Sequence, residues 1–151
     1  MKVRFFIATL LSILPQVIPL AAAPAGKTVV ISAYDTMKFN VTKIEASPGQ
    51  KITVELKNEG TLPKEAMGHN WILLTAGANA GAYVSAAIHA KAEDFQPSSL
   101  SREVIASIPL LGPKTNGKVT FTAPKVPGNY TYLCSFPAHY QAGMRGVLVV
   151  K

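Results

Sequence analysis

Along most of the chain, apolar and polar residues alternate in short runs separated by Pro, Gly and Asn, the pattern of strands joined by turns. TVVISAY (28–34) and MKFNVTKIEA (37–46) predict two strands, SPGQ (47–50) a turn, and KITVELKN (51–58) a third strand with near-strict alternation. HNWILLTA (69–76) is denser, which predicts a strand packed on both faces or held in a sandwich core. After a turn at TNG (115–117) come KVTFTAP (118–124), PGNYTYLCS (127–135) and MRGVLVVK (144–151). Between Asn79 and Leu100 the pattern changes to an alanine-rich stretch in which Tyr83, Ala87 and Ile88 can share a face. This predicts an irregular helical excursion over 79–92, ending before Pro97, and SREVIASIPLL (101–111) then returns to strand. An antiparallel β-sandwich or small barrel is the expected class.

The first 23 residues read differently. Lys2 and Arg4 precede the apolar run FFIATLLSILPQVIPL and the small residues Ala21 to Ala23, the layout of a secretory signal with cleavage expected after Ala23. Pro15 and Pro19 interrupt the run, which is too short for a convincing membrane span. The expected organisation is therefore a signal peptide over 1–23 and one domain over 24–151, exported to the periplasm without stable membrane insertion. Loss of Lys2 and Arg4 lowers the formal charge from +7 to +5. The cations are scattered rather than clustered, so nucleic-acid binding is not expected. No glycine-rich phosphate loop follows a strand, which leaves nucleotide binding without support.

Export makes the lone cysteine, Cys134, informative. A free exposed thiol is vulnerable in an oxidising compartment, so it should be buried, metal-bound or engaged by another molecule. Cys134 begins CSFPAHYQAGM, in which His139 follows five residues later and Met144 five after that, giving C-x4-H-x4-M between two strands. Thiolate, imidazole and weak thioether are the donor types of a blue-copper electron-transfer site, which needs a second imidazole from elsewhere. His69, at the head of the HNWILLTA strand, is the best candidate. Taken singly, Cys134 and Met144 also read as core residues. Zinc can use the same thiolate and imidazoles but favours a stronger fourth ligand than methionine. A copper-delivery module or a metal-free interaction domain are the competing readings of the residues.

The blocks LPKEAMGHNWILLTA (62–76) and YLCSFPAHYQAGMRGVLVV (132–150) resemble the azurin-type bacterial blue copper proteins of the cupredoxin family, and the resemblance runs from about Thr28 to Lys151. It implies an eight-stranded Greek-key β-sandwich with a short helical flap. It also implies one type 1 copper cycling between Cu(I) and Cu(II) in a non-enzymatic, periplasmic carrier of single electrons. The ligands it implies are His69, Cys134 and His139 in plane, Met144 as a weak axial thioether, and the Gly68 carbonyl approaching weakly from the opposite side. Asn70 is implied to bond Ser135, the N–H groups of Asn70 and Phe136 to point at the sulfur, and Trp71 to anchor the core. An edge of His139 is implied to reach the surface within a docking patch of Met67, Phe136, Pro137 and Ala138. Redox proteins such as a c-type cytochrome or a terminal reductase or oxidase are the implied partners. The chain departs from the azurin pattern in its longer ligand loop, which is auracyanin-like. It also lacks the amino-terminal disulfide, near Ser47, and carries Ala138 where glycine is common.

Overall fold

The structure is a computed structural model and describes residues 24–151. The leader expected over 1–23 lies outside the described residues. Along the chain run β1 (Lys27–Tyr34), β2 (Lys38–Phe39), β3 (Lys43–Ala46), β4 (Lys51–Asn58), α1 (Lys64–Met67), β5 (His69–Leu74), α2 (Ala80–Ala87), β6 (Val104–Leu111), β7 (Asn116–Thr122), β8 (Gly128–Leu133) and β9 (Arg145–Val150). They form two sheets, ordered β2-β1-β4-β7 and β3-β9-β8-β5-β6, packed face to face as the expected cupredoxin-like sandwich. The two-residue β2 is an addition to the eight strands expected.

Alternation explains the four-stranded sheet. In β4, Ile52, Val54, Leu56 and Asn58 turn inward while Lys51, Thr53, Glu55 and Lys57 face out. β4 pairs in parallel with β1, Ile31 opposite Leu56, and antiparallel with β7. β5 is buried at every position for a different reason. Trp71 and Leu73 enter the core between the sheets, whereas Ile72 and Leu74 turn outward and are covered by Tyr83 and Val84 of α2. The dense apolar run thus reflects burial on two faces.

Several boundaries differ from those the pattern predicts. The stretch 37–46 is two strands because Asn40 closes on Ser32 through both its backbone and its side chain, and the chain then crosses to the other sheet, where β3 pairs with β9. α2 is capped by Asn79, whose Oδ1 accepts from Ala82 N at 3.0 Å. Tyr83, Val84 and Ala87 form its buried face, while Ile88, at the position where the helix ends, is 49% exposed. Two 3₁₀ turns follow, Lys91–Glu93 and Ser98–Glu103, so the next strand starts at Val104 and not at Ser101. The turn expected at 115–117 is tighter and earlier. Asn58 exchanges hydrogen bonds with Lys114 and Thr115, and β7 is already paired at Asn116. The turn at SPGQ forms as expected, with Gly49 at φ +74 and Gln50 N bonded to Ser47 O.

Candidate metal centre

One end of the five-stranded sheet assembles a cluster from three places in the chain. His69 opens β5, Cys134 directly follows β8, and Met144 directly precedes β9. β8 and β9 are antiparallel with Leu133 opposite Arg145, so Cys134 and Met144 sit at the root of one loop, and Cys134 N donates to Met144 O at 3.1 Å. Within the loop, His139 N donates to Phe136 O, Met144 N to His139 O, Ala142 N to Ala138 O and Gly143 N to Tyr140 O. β5 lies beside β8, with Ile72 opposite Leu133, which brings His69 to the same end.

The donor atoms of His69, Cys134 and His139 lie within 4.8 Å of one another. Cys134 Sγ is 3.4 Å from His139 Nδ1, and the two imidazole centroids are 5.0 Å apart at 42°. None of the three residues is more than 1% exposed, and neither ring nitrogen of His69 has a hydrogen-bond partner. A neutral imidazole has one lone-pair nitrogen and one N–H, so a His69 lone pair that lies with a buried thiol and a second imidazole, and has no hydrogen-bond donor, calls for an acceptor shared with them. Burial pushes the His69 imidazole down to about 4, against an opposing pull from Asp35. Burial and the neighbouring His69 hold His139 at about 4. Both are thus neutral, the ligating form. Burial raises the Cys134 thiol to about 12, although the backbone N–H groups of Asn70 and Phe136 bond its sulfur and pull the other way. A thiolate here therefore requires a cation beside it. Two neutral imidazoles and a thiol fit a single soft-to-borderline metal ion such as copper.

Residues 26–151 match the sequence family described as copper binding proteins, plastocyanin/azurin family. The chain belongs to this family. It is 37% identical to azurin from Pseudomonas aeruginosa over 146 residues, 95% of each protein. It is 33% identical to auracyanin-B from Chloroflexus aurantiacus over 128 residues, 84% of this chain but 53% of that protein, so it spans about half of auracyanin-B. Among solved structures, a dithionite-reduced auracyanin from Roseiflexus castenholzii superposes with a TM-score of 0.74 at 35% identity, covering 85% of this chain and 99% of that one. Auracyanin A, a "blue" copper protein from Chloroflexus aurantiacus, gives 0.73 at 35% identity over 83% of this chain and all of that one.

In this plastocyanin/azurin-family chain the two ligand-bearing segments are stitched together. Asn70 Nδ2 donates to Ser135 Oγ at 2.8 Å, and Ser135 N donates to Asn70 Oδ1 at 2.8 Å. Asn70 Nδ2 also donates to Asp94 O at 3.1 Å, and Ser135 Oγ donates to Phe95 O at 2.5 Å. Asp94 and Phe95 both adopt positive φ, 53° and 59°, an uncommon conformation for a bulky side chain. That turn aims their carbonyls at the stitch and sets the Phe95 ring edge-on to Phe136, 5.0 Å between centroids. Nothing in the sequence around EDFQP signals this role, because Asp and Phe carry no marker for consecutive left-handed residues.

The remaining residues singled out by the sequence fall as follows. Gly68 is buried between α1 and β5, where a Cβ would lie 2.6 Å from Lys64 O and 2.8 Å from Leu110 Cγ, so close approach alone demands glycine. Met144 is fully buried in the cluster that contains Cys134 and Trp71. Met67, Phe136 and Pro137 are half-buried and Ala138 is exposed, at φ +69. His139 corrects an expectation. Instead of presenting an edge to solvent it is 1% exposed, because the Phe136 ring lies over it at 4.7 Å between centroids.

Proposed function

We propose that the chain is a periplasmic carrier of single electrons whose copper would be held by His69, Cys134 and His139, with the Met144 thioether and the Gly68 carbonyl as weaker ligands. The observation that carries this reading is the convergence of two neutral, buried imidazoles and one buried thiol within 4.8 Å. A copper ion bound by such donors supplies one-electron exchange between Cu(I) and Cu(II).

The protein's part is to keep the donors where they are whichever charge they face. His69 is fixed by strand pairing, Cys134 and Met144 by the β8–β9 root, and His139 by the closed turn. Asn70 and Ser135 lock the two segments to each other. The N–H groups of Asn70 and Phe136 partly neutralise the sulfur, favouring its more electron-rich state. Enclosure of all three donors speaks against a copper-delivery module, which needs an accessible ion.

Partners are redox proteins, a c-type cytochrome or a terminal reductase or oxidase, docking over Met67, Phe136, Pro137 and Ala138. No helix among the described residues is long and apolar enough to cross a membrane. Export through a leader over 1–23, leaving the domain 24–151, accords with the charged-then-apolar opening.

Copper titration with optical and EPR spectroscopy tests the reading. One equivalent of copper should produce intense thiolate-to-copper absorption and a narrow hyperfine splitting, both absent in Cys134→Ser. Failure to bind copper stoichiometrically overturns it.

A further inference from the structure

Around the ligand loop the charges are distributed unevenly. On one side Lys38, from β2 in the opposite sheet, reaches across and donates Nζ to the carbonyl of Ala142, so close that a Cβ on Gly143 would meet the ammonium at 2.9 Å. On the same stretch Arg145, first residue of β9, lays its guanidinium over the Tyr140 ring, 4.8 Å from the centroid. Both cations are exposed. Lys43, Lys57, Lys64, Lys114 and Lys151 each have a carboxylate within 4.0 Å; among the described residues Lys38 and Arg145 have none, as is also true of Lys27, Lys51, Lys91, Arg102, Lys118 and Lys125, but of these only Lys38 and Arg145 are seen to contact the loop. Near Phe95 and Asn70 the charges cancel, since Lys64 is paired with Asp94 at 3.2 Å.

Two uncompensated positive charges are therefore pinned to residues 140–145, beside the exposed Ala138 and half-buried Pro137. Lys38 is held by a carbonyl, which satisfies a donor without cancelling the charge. Arg145 is held by an aromatic face, which likewise leaves its charge available to an incoming group. Charges fixed on a rigid loop orient an approaching molecule better than charges on free side chains, because less side-chain entropy is lost on contact.

The geometry points to the Lys38–Arg145 side of the loop as the docking flank for an acidic redox protein, one that presents carboxylates next to its own apolar contact area. This rests on the electron-carrier reading. Lys38 and Arg145 meet the carboxylates, the Pro137–Ala138 surface meets the apolar area, and the partner sits off-centre over Tyr140–Gly143. Electron flow then enters or leaves past the half of the loop between His139 and Met144.

The test uses the copper-loaded protein with hexacyanoferrate(III) as an anionic oxidant. At low ionic strength the double variant Lys38→Glu/Arg145→Glu should oxidise about tenfold more slowly than the unchanged protein, and the gap should close as salt rises. Arg145→Lys should keep the native rate. Lys27→Glu, at the opposite end of β1, should change it less than about twofold, since the field acts locally. A second readout needs no electron transfer. Hexacyanochromate(III), a redox-inert paramagnetic anion, should broaden the amide signals of Lys38 and Tyr140–Arg145 before others, in the Cu(I) form and in the metal-free protein alike. The proposal is overturned if Lys27→Glu slows oxidation as much as the double variant. It is equally overturned if broadening centres on Lys27, Lys51 and Lys151. A protein that bound no copper would sink the electron-carrier reading, while the anion mapping would still report on the flank.

Discussion

Asn70 and Ser135 hold each other through two reciprocal hydrogen bonds of 2.8 Å, although 65 residues separate them. One neighbours His69 and the other Cys134, so the pair fixes the distance between two donors without touching solvent. Asn70→Ala leaves the buried Ser135 N–H unpaired and should lower stability by about 1–3 kcal/mol in denaturant unfolding. Because both residues belong to one network, Asn70→Ala/Ser135→Ala should cost less than the two single changes added, by about 0.5 kcal/mol or more. Additive losses would show that the two side chains act separately.

Ala138 carries a Cβ at φ +69, a conformation that disfavours side chains. Ala138→Gly removes that strain at the cost of a more flexible unfolded chain, and should raise stability by about 0.5–1 kcal/mol. Equilibrium unfolding of the metal-free protein checks this, since no ligand field then masks the turn.

Gly68 has the opposite constraint. Its φ of −65° suits any residue, yet a Cβ would press on Lys64 O at 2.6 Å. Gly68→Ala should destabilise by about 1–3 kcal/mol by pushing α1 away from β5. It should also displace His69, seen as a changed copper absorption spectrum.

Metal-free protein should lose stability in acid because of its buried imidazoles. In the folded state His69 and His139 are held near 4, below the ordinary histidine value of 6.5, so the unfolded chain takes up protons first. Their contribution is complete above about pH 6.5 and is lost as pH falls from there toward 4, together on the order of a few kcal/mol. Copper-loaded protein should hold its stability to lower pH, as the bound imidazoles resist protonation. Thermal unfolding across pH 4–8, with and without copper, separates the two curves.

Met144 is enclosed by core residues and lies at the loop root with Cys134. Met144→Leu keeps its volume and should cost less than about 1.5 kcal/mol of stability. Voltammetry should nonetheless show a changed reduction potential with one copper still bound. An unaltered potential would remove the thioether from the site.

Much of this was legible in the residues. The alternation of β4 and the double-faced burial of β5 are direct consequences of side-chain period, and C-x4-H-x4-M announced its chemistry through donor type and spacing. Less legible were features set by the backbone or by distant partners. The break of 37–46 depends on Asn40 finding Ser32, and the stitch at Asp94 and Phe95 depends on two left-handed residues that composition does not signal. The cover over His139 depends on a ring orientation fixed only once Phe95 packs on Phe136. Lys38 was not associated with the loop, since its contact spans 104 residues.

The alignment of β5 against β8 also bears on how the molecule matures. His69 and Cys134 are far apart in the chain and become neighbours only when Ile72 lies opposite Leu133. A slip of one residue in that pairing would turn alternate side chains of β8 to the other face and carry Cys134 away from the imidazoles. Pairings so distant in sequence close late and slowly during folding. Convergence of the thiol with the two imidazoles thus depends on this alignment: a molecule mis-registered by one residue would offer the imidazoles without the thiol and so lack the full donor set.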